Sequence, residues 1–132
     1  MRLAAVAAAI LVLLPLPAWA APWIEGVWKG NYECAQGPTE VTLTLKAHPD
    51  GVLWASFQFY QDDIYGSFRM KGAFTEAGEL TLEPHLWITR PEGWDMVGLA
   101  GQGFNRRDEG LPDTLEGEVV AEGCSGFVVT RQ

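Results

Sequence analysis

Basic residues are scarce in this sequence. Its 132 residues include nine Lys and Arg against seventeen Asp and Glu, which gives a formal net charge of −8 at pH 7. A strongly acidic chain is repelled by nucleic acid and by anionic membrane surfaces, so we expect neither as a partner. The same charge attracts basic proteins, and it also favours solubility.

Histidine is equally rare, with two residues in the chain. His48 lies in a turn and His85 follows a proline, and no spaced carboxylate cluster accompanies them, so we expect no metal site. The stretch Gly123-Cys124-Ser125-Gly126 is not the Gly-x-Ser-x-Gly elbow of a hydrolase, and it precedes a strand rather than a helix. Since no convergent catalytic set is present, we expect neither a cofactor nor enzymatic activity.

A long apolar run, Leu3 to Leu16, occurs at the N-terminus, and it is too short for a membrane span and interrupted by Pro15. Arg2 precedes the run and Ala18-Trp19-Ala20 follows it, which is the pattern of a secretory signal peptide. We therefore expect residues 1–20 to be removed and the protein to be periplasmic or secreted, without a membrane anchor.

The remaining 112 residues, 21–132, carry a net charge of −9 and are enough for one domain, which we expect to be monomeric. Cys34 and Cys124 form an even pair in an exported chain, which favours a disulfide. The two positions are 90 residues apart, so the loop-entropy argument gives the bridge roughly 4 to 5 kcal/mol. The bridge also requires the first and last strands to be neighbours.

Strand-like alternation runs through the domain. Val41, Leu43 and Leu45 alternate with polar residues, the period-two pattern of a strand with one buried face. The fifth strand is expected to end at Pro84, because proline cannot donate to a central ladder. The predicted strands are 23–34, 39–46, 52–60, 65–75, 79–83, 95–100, 113–121 and 124–131.

Successive strands joined by short turns predict an all-β fold, a small eight-stranded up-and-down antiparallel β-barrel with one disulfide. Pairing of the first and last strands would close the barrel and remove its exposed edges. An eight-stranded barrel is either filled by side chains or holds one small ligand.

The first strand carries Gly26-Val27-Trp28, and the last strand ends with Arg131, which could stack on that indole. This combination resembles the lipocalin and avidin group of calycin-type barrels. The resemblance implies that Gly26, Trp28 and Arg131 are structural residues at the closed end of the barrel. The chain lacks the helix that usually follows the last strands of lipocalins.

Two further resemblances concern the cysteines. Tyr32-x-Cys34 with a second Cys near the end is similar to small periplasmic barrels that inhibit lysozyme or secreted proteases, although their Ser-Gly loop followed by Tyr is scrambled here as Tyr65-Gly66-Ser67. A longer pattern resembles an exported bacterial module and implies no activity. That pattern is Trp28-x-Gly30-x-Tyr32-x-Cys34-x-Gln36-Gly37, Pro84-x-x-Trp87-Ile88 and Cys124-x-x-Phe127.

Large aromatic rings in loops or on the less buried strand faces are candidates for ligand contact. The candidate ligand-binding residues are Trp54, Tyr60, Trp87 and Trp94. One hypothesis is a lipocalin-like binding module for a small apolar ligand, with Trp87 and Trp94 at the mouth of the barrel. The alternative is a protein-binding module or an inhibitor of a basic hydrolase such as lysozyme or a secreted protease, with a filled interior.

Overall fold

The computed structural model describes residues 22–132, which form a closed barrel of eight antiparallel strands. The strands are β1 (Gly26–Cys34), β2 (Gly37–Ala47), β3 (Leu53–Gln61), β4 (Ile64–Phe74), β5 (Glu79–Thr89), β6 (Gly98–Phe104), β7 (Thr114–Val120) and β8 (Cys124–Arg131). Each strand pairs with its neighbours in sequence, and β1 also pairs with β8. The predicted all-β, up-and-down barrel is confirmed.

The expected signal peptide, residues 1–20, lies outside the described residues. The described part begins at Pro22, one residue after the expected start of the domain. Between Pro22 and Gln132, no helix is long and apolar enough to cross a membrane.

Side chains on β2 and β3 alternate between the interior and the outer surface, as their sequence pattern predicts. Val41, Leu43 and Leu45 are buried, and the register places Val41 opposite Phe59 and Leu43 opposite Phe57. Burying one face of each strand fixes this register, because a slip of one residue would turn every apolar side chain outwards.

Turn chemistry explains the tight connection between β2 and β3. Gly51 adopts a positive φ of 86°, and its N–H donates to the carbonyl oxygen of His48 at 3.0 Å. The carboxylate of Asp50 accepts a hydrogen bond from the N–H of Val52 at 3.0 Å. The predicted turn at His48-Pro49-Asp50-Gly51 thus forms as its residue types require.

The predicted end of the fifth strand at Pro84 is wrong, because β5 continues to Thr89. Pro84 lies opposite Met70 of β4, and β5 pairs with β6 only through Glu79–Leu82. Proline at this position therefore faces a stretch where β6 is no longer paired, so its missing N–H removes no ladder hydrogen bond on that side. The β4 side accommodates the proline through register shifts beside Met70.

The predicted sixth strand, 95–100, begins too early and ends too early, since β6 is Gly98–Phe104. Its glycines obscure the strand pattern in the sequence. Gly101 has a structural role, because a Cβ atom there would lie 2.3 Å from the carbonyl oxygen of Glu116 in β7. Only glycine allows the two backbones this close approach.

The first strand was predicted from Trp23, whereas β1 begins at Gly26. Residues 22–25 form a turn in which the N–H of Glu25 donates to the carbonyl oxygen of Pro22 at 2.9 Å. Ile24 is buried in the core, and its carbonyl oxygen accepts the indole N–H of Trp28 at 3.1 Å. This turn covers one end of the barrel.

Arg131 binds the covering turn to the barrel from the last residue of β8. Its guanidinium carbon lies 4.3 Å from the ring centroid of Trp28 and 5.1 Å from that of Trp23. Its Nη1 donates to the carbonyl oxygen of Glu25 at 2.7 Å, and its Nη2 donates to the carbonyl oxygen of Trp23. Its Nε donates to the buried carboxylate of Asp113 at 3.1 Å.

The predicted disulfide Cys34–Cys124 is present at the other end of the same pair of strands. Cys34 is the last residue of β1 and Cys124 the first of β8, and the register places them opposite each other. The β1–β8 seam is thus joined at one end by the disulfide and at the other by Arg131.

The Arg131–Asp113 pair generates a stability prediction. The Asp113 side chain is 1% exposed and also lies 3.6 Å from Arg107, whose side chain is 70% exposed. Arg131→Gln leaves a buried carboxylate without its close partner, so we expect the free energy of unfolding to fall by about 3 kcal/mol. Urea denaturation measures this change.

Arg107→Gln is the matched control, because it removes an exposed partner of the same carboxylate. It should cost less than about 1 kcal/mol. Equal losses in the two variants would contradict the structural role assigned to Arg131.

Candidate functional site

The barrel interior is filled by aromatic rings. Phe57 and Phe68 stack with their ring centroids 4.6 Å apart, and Tyr32 meets Phe57 edge-on at 5.2 Å. Phe59 completes the group, 6.2 Å from Phe57. It fits because Gly66 lies against its ring, where a Cβ atom would come within 2.1 Å of Phe59 Cζ. All four rings are at most 3% exposed.

Two of the predicted ligand-contact residues, Trp87 and Trp94, lie on this aromatic core. Trp94 stacks on Phe59 at 4.9 Å, and Trp87 meets Phe68 and Phe59 edge-on at 5.4 and 6.2 Å. Both indoles are partly buried. The structure therefore brings these two residues together at Phe59, as a cover over the filled interior.

A recess of about 550 Å³ remains at this end of the barrel, and we call it the mouth recess. Its wall includes both cysteines of the disulfide, Trp94 and Tyr32. The other residues that line it include apolar and polar side chains: Gln36, Gln61, Ile64, Asp95, Met96, Val97 and Glu122.

Tyr32 is a buried titratable group, and it lines the mouth recess. Burial raises the pKa of Tyr32 to about 12, because desolvation penalises the phenolate, and a hydrogen bond with the Thr39 side chain opposes part of this increase. The phenol is therefore neutral at any physiological pH and acts as a packing group and hydrogen-bonding group.

The other two predicted contact residues, Trp54 and Tyr60, lie on the outer surface of β3, away from Trp87 and Trp94. Tyr60 is exposed and lies 4.9 Å from Tyr65, the residue opposite it on β4. Trp54 is partly exposed near the β2–β3 turn. Sequence reasoning placed both rings on this face of β3, but it missed the cations that surround Trp54.

Tyr65-Gly66-Ser67, the stretch compared with an inhibitory loop, lies within β4. Ser67 is buried, and Gly66 contacts Phe59 in the interior. The stretch therefore does not form an exposed loop that could enter an active site.

A shallow groove of about 1030 Å³ runs along the outer face of β8, and we call it the β8 groove. Its floor consists of small side chains from β8, and longer polar side chains from β1 and β7 flank it. The floor is Gly126, Val128 and Thr130, and the flanks are Lys29, Asn31 and Glu33 on one side and Glu116 and Glu118 on the other.

The register explains the shape of the β8 groove. Val128 lies between Asn31 of β1 and Glu116 of β7, so a short side chain separates two longer ones. Val128 is 48% exposed, which leaves apolar surface between an amide and a carboxylate. Sequence reasoning missed Glu116 and Glu118 as groove residues. The alternation of small residues on β8 is the signal that could have indicated a groove.

Groups with catalytic or metal-binding chemistry lie apart from one another. Ser125 lies beside Glu118 on the β8 side of the barrel, whereas both histidines flank Trp54. Within residues 22–132, no three His, Cys, Asp or Glu side chains converge as metal ligands would.

The burial of Tyr32 generates a pH prediction. A phenol with a pKa of about 12 in the folded state and 10.0 in the unfolded state stabilises the fold fully below pH 10, and this contribution is lost as the pH rises through 12. The loss amounts to about 2 to 3 kcal/mol. The difference in tyrosinate absorbance between the wild type and Tyr32→Phe should show a midpoint near pH 12, and a midpoint near pH 10 would contradict the burial.

The closed antiparallel barrel with its strands in up-and-down order is compatible with a calycin-like fold. Comparisons of this chain with protein-family models, with curated proteins and with solved structures found no match.

Proposed function

We propose that the protein is an exported, non-enzymatic module that binds a basic protein partner in the β8 groove. A basic hydrolase, such as lysozyme or a secreted protease, is the class of partner to test first. The observation that carries the proposal is a groove of about 1030 Å³ in which an exposed valine lies beside the carboxylates of Glu116 and Glu118, with a third carboxylate, Glu33, on the other flank.

The filled interior supports binding on the outside of the barrel. Phe57, Phe59 and Phe68 occupy the space in which a lipocalin-like carrier would hold its ligand. An eight-stranded barrel has room for side chains or for one small ligand, and here side chains take most of that space.

The charge of the groove supports a basic partner. The lining contains three carboxylates, Glu33, Glu116 and Glu118, and one basic residue, Lys29. Among the described residues, no ion pair within 4 Å neutralises these three carboxylates. The net charge of −9 for residues 21–132 adds long-range attraction for a cationic protein. Exposed Val128 supplies apolar contact at the centre, where interface energy concentrates.

Export is part of the proposal, and it rests on the leader pattern at residues 1–20 and on the disulfide. A disulfide such as Cys34–Cys124 persists in oxidising compartments. The Tyr32-x-Cys34 resemblance to small barrels that inhibit hydrolases points to the same class of partner, although the contact surface proposed here lies on β8.

Calorimetry with lysozyme and with a basic secreted protease tests this proposal. We expect binding that weakens by at least about tenfold between about 0.15 M and about 1 M NaCl, because exposed charges are screened at the higher salt. Glu116→Gln/Glu118→Gln should weaken binding roughly tenfold, since it removes two carboxylates without changing the backbone.

Asp62→Asn/Asp63→Asn is the matched control. It removes the same charge from the β3–β4 turn, and asparagine tolerates the positive φ of 54° at position 62. If both double variants weaken binding of the hydrolase equally, the net charge of the protein explains the loss of affinity, and a site in the groove is contradicted. Absence of binding to every basic hydrolase tested would exclude that class of partner.

A small apolar ligand in the mouth recess is the second candidate function. The recess measures about 550 Å³ and includes Trp94, Met96 and the disulfide, so it could seat part of an apolar molecule against an indole ring. Native mass spectrometry of protein purified from a bacterial periplasm tests this candidate. An adduct that Trp94→Ala abolishes would support it, and an adduct-free protein would leave the groove as the binding surface.

A further inference from the structure

Trp54 occupies an outer position of β3 where the core does not require it. Its neighbours in the strand, Leu53 and Ala55, are buried in the barrel, whereas Trp54 remains partly exposed. Outward positions of antiparallel strands usually carry polar side chains. The indole therefore keeps apolar surface in contact with water, a feature typical of recognition surfaces.

Nitrogen-bearing side chains surround this indole. Lys46 of β2 and Lys71 of β4 are its direct cross-strand neighbours, one on each side. The guanidinium carbon of Arg69 lies 5.6 Å from the Trp54 ring centroid. The imidazoles of His48 and His85 lie 5.9 and 5.4 Å from it, from the β2–β3 turn and from β5. We call these six residues the Trp54 surface.

The cations of the Trp54 surface are not neutralised by close ion pairs. Of the eight Lys and Arg between residues 22 and 132, Arg90, Arg107 and Arg131 form ion pairs within 4 Å. Lys46, Arg69 and Lys71 are three of the other five, and all three are exposed. Glu83 lies opposite Lys71 in the register, and the surface keeps a net positive charge.

A positive surface around an indole is unexpected in a domain with a net charge of −9. Arg69 stacked on Trp54 could serve the sheet alone, since such pairs stabilise cross-strand contacts. That role does not account for two lysines in register on both sides of the ring. An anion bound between the two lysines would be attracted by both charges.

The geometry points to a binding site for an anionic saccharide on the Trp54 surface. The apolar face of a sugar ring would stack on the exposed part of the indole, and a carboxylate or sulfate on the same ring would accept hydrogen bonds from Lys46, Lys71 or Arg69. The distance from β2 to β4 is two strand spacings, about 10 Å, which suits a short oligosaccharide segment.

The charge outside the Trp54 surface argues against a long polyanion. A nucleic acid that extended beyond β2–β4 would meet the acidic remainder of a protein with net charge −9. A second copy of the chain could place its β8 groove against this surface, and the experiment separates that occupant from a saccharide.

Titration of the protein with trigalacturonic acid tests the inference, with a neutral galactose trisaccharide and a short oligothymidylate as comparison ligands. We expect trigalacturonic acid to shift the indole N–H resonance of Trp54, which the spectrum of Trp54→Phe identifies. The neutral sugar should leave that resonance unmoved, because it has no carboxylate to bind the lysine and arginine side chains. Oligothymidylate should bind at least about tenfold more weakly than the acidic sugar.

Variants assign the binding to side chains. Trp54→Ala should abolish the binding detected by calorimetry, and Lys46→Gln/Lys71→Gln should weaken it by at least about tenfold. Arg90→Gln/Arg106→Gln is the matched control, because it removes two positive charges elsewhere and should leave the affinity unchanged. If Trp54→Ala fails to fold, Arg69→Gln replaces it and should weaken binding severalfold.

Three results would overturn the inference. The first is no shift of the Trp54 resonance at millimolar trigalacturonic acid. The second is equal binding of oligothymidylate, which would make the surface a general anion patch. The third is self-association at low salt that Lys46→Gln/Lys71→Gln abolishes while the acidic sugar does not bind, which would identify a second copy as the occupant.

Discussion

Closure of the β1–β8 seam is the constraint on which the rest of the structure depends. An antiparallel sheet of eight strands has two edges, and pairing the first strand with the last removes both. The chain secures this long-range pairing with a covalent bond at Cys34–Cys124 and with Arg131, whose guanidinium contacts Trp28 and the covering turn. The disulfide and Arg131 act at opposite ends of the β1–β8 seam. The two strands therefore cannot separate from either end without breaking the disulfide or the contacts of Arg131.

Because the barrel is closed and its interior is filled, the outer surface is the main area where a ligand or partner could bind. Phe57, Phe59 and Phe68 fill the interior, and Trp87 and Trp94 cover it, so most of the aromatic content serves stability. The outer surface is then the larger area available for binding, and it differs from strand to strand. Small residues on β8 form a groove beside the β7 carboxylates Glu116 and Glu118, whereas a large ring on β3 lies among cations.

The sequence predicted the features that depend on local pattern. Alternation on β2 and β3 predicted the buried faces, and two cysteines in a chain expected to be exported predicted the disulfide. The continuation of β5 past Pro84 could not be predicted, because it depends on where β6 stops pairing. The residues around Trp54 could not be predicted either, because they come from other strands. Only the register between strands places Lys46 and Lys71 beside it.

The placement of the two charged surfaces has an electrical consequence. Strand order puts the cations on β2–β4, centred on β3, and the groove carboxylates Glu116 and Glu118 on β7, four strands from β3 and so opposite it around the barrel. These two surfaces therefore contribute a dipole moment directed across the width of the domain. Near a negatively charged layer, the torque on this dipole would turn Trp54 towards the layer and β8 away from it within about one Debye length, about 8 Å at physiological ionic strength. A molecule oriented in this way could hold a short anionic saccharide on one side and present its acidic side to a second molecule at the same time.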